Sequence, residues 1–213
     1  LTQEALRLAR IEQSPVFFFV PRPTTDEPAR SATLFAARYA REHGLTVSYD
    51  PNLRRNLWSD EQTARQYIRE GLNLCDVAKL SDEECTFLCG DGEIDALGHR
   101  LLAEHPNLKL LFVTCGAGGS YAFCGSRMAF VPGFSVKIAD TTGAGDAFVG
   151  AVLYQILRRG GLREAYSPAE LEQLLTFGNA VGALSVQRYG AIPAIPTLAE
   201  TESFLHAQGL LGA

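Results

Sequence analysis

No stretch of this chain is apolar for long enough to cross a bilayer, which takes about 20 residues. The opening residues, Leu1-Thr2-Gln3-Glu4, lack the basic start and following apolar run of a secretory leader. A cytoplasmic protein without a membrane partner is the expectation. Positive charge is scarce as well: 19 Lys and Arg face 24 Asp and Glu, a net charge of -5. With no basic patch interleaved with aromatics, nucleic acid is not an expected partner. Cysteine is present but unpaired in pattern. Cys75, Cys85, Cys89, Cys115 and Cys124 are odd in number and contain no CxxC, which argues against a disulfide framework. Cys85 and Cys89 are spaced to share a helix face, yet no histidine pair stands nearby to complete a zinc site. Reduced thiols in or near the core are the reading. Internal repeats and low-complexity linkers are missing too. What remains is a 213-residue chain, enough for one sizeable α/β domain.

Helical and strand-like patterns alternate along it. Thr2 to Ile11 reads as a short helix, and Val16 to Val20, between Pro15 and Pro21, as a buried strand. Residues 21–27 read as a loop, and Pro28 to His43 as a helix packing through Leu34, Ala37, Tyr39 and Ala40. Gly44 suits the position after that helix. Leu45 to Tyr49 is the next strand, and Asp60 to Leu72 a helix with Asp60 at its start. Cys75 to Leu80 is a strand. Ser81 and Glu84 then have the spacing of a capping box, opening a helix from Glu83 to Leu88. Asp91 to His105 is a helix stopped by Pro106. Leu108 to Thr114 is an apolar strand, followed by Ser120 to Cys124 and by a short one from Arg127. Ala144 to Leu157 is a long helix ended by Gly160-Gly161. A further helix opens at Ser167 or Pro168 and runs on to Val186, with small residues Gly178, Ala180, Gly182 and Ala183 along it. Tyr189 to Pro196 is a loop, and Thr197 to Gln208 the last helix. The order predicts an α/β sandwich with a largely parallel central sheet.

One stretch stands out, Asp140-Thr-Thr-Gly-Ala-Gly-Asp146. It follows a strand-like run, Phe134 to Ala139, and precedes the helix of 144–157. Gly143, Ala144 and Gly145 therefore sit where free backbone N–H groups converge, a place that holds phosphate or another anion. A carboxylate at that spot, Asp146, is electrostatically awkward unless it is there to take a proton. Its alternative role is to cap the helix. At the end of the strand of 45–49 lies Asp50-Pro-Asn-Leu-Arg54. Arg54 suits a phosphate or stands as a surface arginine at a turn. Trp58, the one tryptophan, packs that loop or touches a ligand.

Residues 140–148 resemble the signature of the carbohydrate kinases related to ribokinase and fructokinase. Four other stretches agree: Asp50 to Arg54 with Leu57-Trp58; Lys79 to Glu84; Thr114-Cys-Gly-Ala-Gly-Gly119; and Tyr189 to Pro196. The resemblance covers essentially the whole chain, which matches the C-terminal two thirds of such a kinase. It implies a ribokinase-like three-layer fold whose first strands, β lid and sugar-holding Gly-Gly and Asp set are outside this chain. A sheet without those strands is expected to have an apolar edge and to be marginally stable or to associate, as a homodimer for instance.

The resemblance also implies ATP-dependent phosphorylation of a sugar hydroxyl by the intact enzyme, with the 213-residue chain alone expected to be inactive while keeping part of a nucleotide site. Fructose is the favoured acceptor; ketodeoxygluconate or another sugar acid is the rival. A noncatalytic nucleotide-binding or structural fragment is the alternative of a different class. Asp146 would be the base, with Gly143, Ala144 and Gly145 supplying the amides. Arg54, Lys79, Thr114, Gly116, Gly119 and Asn179 would border the nucleotide, Asn179 near the adenine. The alternative for Asn179 is a helix residue that hydrogen-bonds locally. Asp82 or Glu83 would position Mg²⁺ through water, with Lys79 standing where the family has Asn. K⁺ would take oxygens of Asp140 and Thr142 and the carbonyls of Ser185, Arg188 and Gly190.

Overall fold

A computed structural model describes residues 2–20 and 27–210. The loop expected over 21–27 lies outside them except for Glu27. The chain divides into two compact units. One takes in the chain as far as Val113, with Phe123–Ser126 and Arg163–Ala165. The other holds Thr114–Ala122, Arg127–Leu162 and the chain from Tyr166 onward.

The strands are β1 (Val16–Phe19), β2 (Thr46–Tyr49), β3 (Val77–Ser81), β4 (Leu110–Thr114), β5 (Ser120–Cys124) and β6 (Arg127–Val131). Their order in the sheet is their order in the chain. β1, β2 and β3 are parallel neighbours, since a helix returns the chain between each pair. These helices are α2 (Ala29–Glu42) and α3 (Glu61–Leu72). α4 (Asp82–Cys89) and α5 (Ile94–Glu104) lie between β3 and β4. β5 and β6 are joined by two residues, Gly125 and Ser126, and so form an antiparallel hairpin. The result is the expected α/β three-layer sandwich with a mostly parallel sheet.

β3 and β4 are buried over four of their five residues, as strands covered on both faces must be. β1 departs from the expectation of a buried strand. Among the described residues it has a strand neighbour on one side only, and Phe18 is 40% exposed. The expected first helix is broken. A 3-10 turn, Gln3–Ala5, gives way to extended backbone at Leu6 before α1 (Leu8–Glu12) begins. α2 packs through Ala32, Ala36, Ala37 and Ala40, while Leu34 and Tyr39 are only half-buried. α5 starts three residues later than expected, because Gly90 to Glu93 form the turn that leads into it.

The second unit is built on α6 (Ala144–Arg158), α7 (Pro168–Ser185) and α8 (Leu198–Ala207). Ala147, Ala151, Phe177, Ala180, Val181 and Leu205 meet in one core, with Phe134 and Phe204 against it. Gly178 lets α6 and α7 approach closely: a Cβ there would lie 2.6 Å from the Phe148 ring. Ser167 and Thr197 start α7 and α8 with capping boxes to Glu170 and Glu200. The run from Phe134 to Ala139 is not a strand. Its end is held by the turn closing α7, where the Ala139 and Asp140 N–H groups donate to the Val186 carbonyl at 2.7 and 3.2 Å. A 3-10 turn, Ile192–Ala194, interrupts the loop of 189–196.

Candidate functional site

A cavity of about 420 Å³ opens in the second unit. Two glycine-containing turns border it. Thr114, Gly116 and Gly119 come from the β4–β5 connection, and Thr141, Ala144 and Gly145 from the start of α6. Phe134, Val136, Ile138 and Phe148 line it, with Asn179, Gly182, Ala183 and Val186 of α7. The motifs at 114–119 and 140–146, separated in sequence by the β5–β6 hairpin, thus share one cavity, together with Asn179.

The start of α6 has the geometry that its sequence suggests. Gly143 is the N-cap, in the left-handed region at φ 78°. A Cβ on it would also come within 3.0 Å of the Ala191 Cβ, so glycine is required on two grounds. The first i−4 bond of the helix is made by Ala147 N–H to the Gly143 carbonyl at 2.8 Å. Ala144 N–H bends back to Thr141 at 3.3 Å. That leaves the Gly145 and Asp146 amides without an i−4 acceptor, beside the cavity, at the positive end of a 15-residue helix. Asp146 is exposed in this first turn and is not itself a wall of the cavity. Across from it, Gly119 has φ 115°, and a Cβ there would strike the Val131 carbonyl at 2.2 Å. Only a glycine main chain fits where the turn folds back under β6.

Asp140 ties this turn to the far end of the unit. One carboxylate oxygen accepts from the Thr142 N–H (2.9 Å) and hydroxyl (2.7 Å), the other from Gly190 N–H at 3.0 Å. These donors, Gly190 first, hold its carboxyl below the usual range. Asp140, Thr142 and Gly190 are thus together. Ser185 and Arg188 lie on the turn closing α7, whose Val186 carbonyl binds Ala139 and Asp140. The Arg188 guanidinium pairs with Glu200.

Asn179 is held otherwise than by either expected role alone. It borders the cavity, but its bonds are not local. Nδ2 donates to the carbonyls of Val131 (3.1 Å) and Pro132 (3.3 Å), and Oδ1 accepts from the buried Ser120 hydroxyl at 2.7 Å. The side chain braces α7 against β5 and the end of β6.

The first unit holds the remaining sequence candidates. Asp50, one residue past β2, and Lys79, the third residue of β3, lie side by side, continuing a register that pairs Ser48 with Val77 and Tyr49 with Ala78. Both are buried, with Lys79 Nζ 3.2 Å from Asp50 Oδ2. The Lys79 ammonium is thus turned inward onto a carboxylate. Burial raises the Asp50 pKa; Lys79 opposes this, and the nearby Glu84 carboxylate adds to it. Glu84 is buried as well. It closes the capping box with Ser81 N–H at 2.7 Å and accepts from Leu53 N–H at 2.6 Å. Asp50 also accepts from Asn52 N–H, at 2.9 Å. Both carboxylates hold the loop that carries Arg54, which is exposed. Trp58 packs edge-on against Tyr67, ring centres 5.4 Å apart, so it packs the loop. Asp82 accepts from Glu83 N–H, and Glu83 is exposed. Among the described residues no three His, Cys, Asp or Glu side chains are grouped to hold a metal ion. The Asp50–Lys79 pair was absent from the sequence reading, which lacked the strand register that makes positions 29 apart neighbours.

Known proteins resemble this chain over most of its length. The family model described as pfkB family carbohydrate kinase matches residues 20–198. Fructokinase-2 of Solanum lycopersicum is 41% identical over 205 residues, 96% of this chain and 62% of that protein. The chain thus spans less than two thirds of that relative's length. A fructokinase from Xylella fastidiosa, solved with bound ATP, is similar at TM-score 0.88 and 31% identity over 98% of this chain and 66% of that one. A double mutant of the fructokinase from Vibrio cholerae O395, solved with fructose, ADP and potassium ion, gives TM-score 0.80 and 33% identity over 94% and 64%. No helix among the described residues is long and apolar enough to cross a membrane.

Proposed function

The chain belongs to the pfkB family of carbohydrate kinases, and on that premise we propose that it binds ATP in the cavity of the second unit and that, in a kinase of its relatives' full length, the γ-phosphate passes to a sugar hydroxyl. One observation carries the reading. The N-terminus of α6, with its two amides lacking an i−4 acceptor, opens onto the same cavity as the turn of 114–119. Fructose is the proposed acceptor, since the relatives above are fructokinases.

In the transfer the sugar oxygen bonds to the γ-phosphorus as the bond to the β,γ-bridging oxygen breaks, and ADP leaves. Asp146 takes the hydroxyl proton. The Gly145 and Asp146 amides stabilise negative charge on the transferring group. Gly116 and Gly119 admit the phosphates close to the main chain. K⁺ suits the carboxylate of Asp140, the hydroxyl of Thr142 and the carbonyls of Ser185, Arg188 and Gly190, all oxygen donors as a hard cation requires. Mg²⁺ is different. Asp82 and Glu83 form no cage for it, and such an ion binds chiefly through the phosphates with one or two carboxylates. Arg54 and Lys79 differ in turn: Arg54 is exposed on the loop after β2, whereas the Lys79 ammonium is turned inward onto Asp50.

The test is ADP release, by a coupled assay, with fructose, ketodeoxygluconate and ribose in turn. Fructose should be turned over fastest. Asp146→Asn should lower kcat about 10²–10⁴-fold, the scale for losing an acid–base group, with ATP affinity little changed. Turnover near wild type in that variant would remove Asp146 as the base. ATP binding without transfer to any sugar would leave a nucleotide-binding protein.

A further inference from the structure

We propose that the base end of this cavity does not read the substituent at position 6 of a purine, so that GTP and ITP bind about as well as ATP. The inference rests on the nucleotide reading of the cavity and adds to it the class of nucleotide accepted. With phosphates at the turns of 114–119 and 141–145, the base lies toward the remaining walls. Those walls are Phe134, Val136, Ile138, Phe148, Ala183 and Val186, together with Ser135 and Asn179. Among the described residues no charged side chain lines the cavity.

Asn179 is the wall residue with the means to discriminate. A fixed amide presents a donor and an acceptor in set places, and so separates the adenine edge, an amine donor beside a ring acceptor, from the reversed edge of guanine or hypoxanthine. Here the donor half of that amide is already engaged, so the fixed donor–acceptor pair that reads an edge is not available. Nδ2 donates to the carbonyls of Val131 and Pro132, and one lone pair of Oδ1 takes the Ser120 hydroxyl. Turning it toward a base would strip a fully buried serine of that bond and two carbonyls of their donor.

The polar groups left over do not discriminate. The exposed Ser135 hydroxyl both donates and accepts and rotates to suit either edge. The coil main chain of 133–138 carries donors and acceptors alike. Apolar walls grip the purine faces, which the three bases share. A site built to hydrogen-bond one edge rejects the wrong one by about 10⁴–10⁵, whereas an apolar pocket separates close analogues by about 10–200-fold at most. Analogues that differ only in their hydrogen-bonding edge belong at the low end of that range.

The experiment is calorimetric titration of the chain with ATP, GTP and ITP, each with equimolar Mg²⁺. Dissociation constants within tenfold of one another support the proposal. A preference for ATP above tenfold overturns it while leaving the nucleotide reading intact. Failure of all three to bind overturns the reading itself and the proposal with it. Asn179→Ala should lower thermal stability yet keep the ATP-to-GTP ratio within threefold of the wild type; a larger change in that ratio would make Asn179 a reader. If that variant does not fold, Ser135→Ala serves instead. It should weaken ATP and GTP by the same factor, and loss of ATP binding alone would overturn the proposal.

Discussion

Removing the Lys79 ammonium should destabilise the protein more as pH rises. Lys79 and Asp50 have side chains only 10% and 2% exposed, with Nζ and Oδ2 3.2 Å apart. Lys79→Met leaves Asp50 buried with the Asn52 N–H as its remaining described donor and the Glu84 carboxylate still close by. Breaking such a pair from one side costs about 3–5 kcal/mol, a large share of a typical 5–15 kcal/mol total. At a urea m-value of about 2 kcal/mol/M, the midpoint should fall by roughly 1.5–2.5 M. The loss has a sign in pH. The Asp50 pKa is already raised in the folded state by burial, so its contribution is full below the ordinary value of 3.8 and is lost as pH rises through the folded value. Without the lysine the folded pKa moves higher, and each pH unit below it relieves about 1.4 kcal/mol. The deficit of Lys79→Met against wild type should therefore be smaller at pH 5 than at pH 8. Adding Asp50→Asn should recover a good part of it, because no uncompensated charge then remains. Urea titrations at the two pH values decide the matter. A midpoint shift under 0.5 M (about 1 kcal/mol) that does not change with pH would show that the pair is solvated and the reasoning wrong.

Gly143→Ala should weaken ATP binding and lower the melting temperature, since it puts a side chain at φ 78° and against Ala191, a cost of about 1–2 kcal/mol from the backbone alone; calorimetry and a thermal melt check both. Gly178→Ala should cost about 1–3 kcal/mol by driving the Phe148 ring off α7, and unchanged stability would mean that the helices separate freely. The Glu200 carboxyl is held down to about 2, chiefly by the Arg188 guanidinium and then by the Thr197 N–H and hydroxyl. Its contribution is present above the ordinary value of 4.5 and lost as pH falls toward 2, so Glu200→Gln should flatten the stability profile in that window.

Features set by neighbours in sequence were legible beforehand. The capping box at Ser81 depends on residues three apart, and the start of α6 on seven consecutive ones. The α/β sandwich with a largely parallel sheet followed from the alternation of helical and strand-like patterns. What escaped was decided across distance. Phe134 to Ala139 has the composition of a strand, but its main chain is tied to the end of α7 at Val186. Asn179 reads as a helix residue with local bonds, yet its partners lie 47, 48 and 59 positions away. The Asp50–Lys79 pair needs the register of two strands, which neither residue's surroundings reveal. In each case the type of group was readable and its partner was not.

The turn that opens α6 depends on the same kind of distant partner. Its amides are useful only if Gly143 keeps its left-handed conformation, and the helix alone supplies no N-cap side chain to hold it. The restraint comes from the loop of 189–191. Gly190 N–H binds one oxygen of Asp140, whose other oxygen gathers Thr142, and Ala191 sits against Gly143 itself. Asp140 is exposed enough for water to compete for these bonds. A monovalent cation that shares the Asp140 carboxylate with the carbonyls of this loop would therefore act on the anion-binding amides through two residues of chain. Its effect would be to hold the turn in one conformation, lowering the ordering cost of each phosphate bound there.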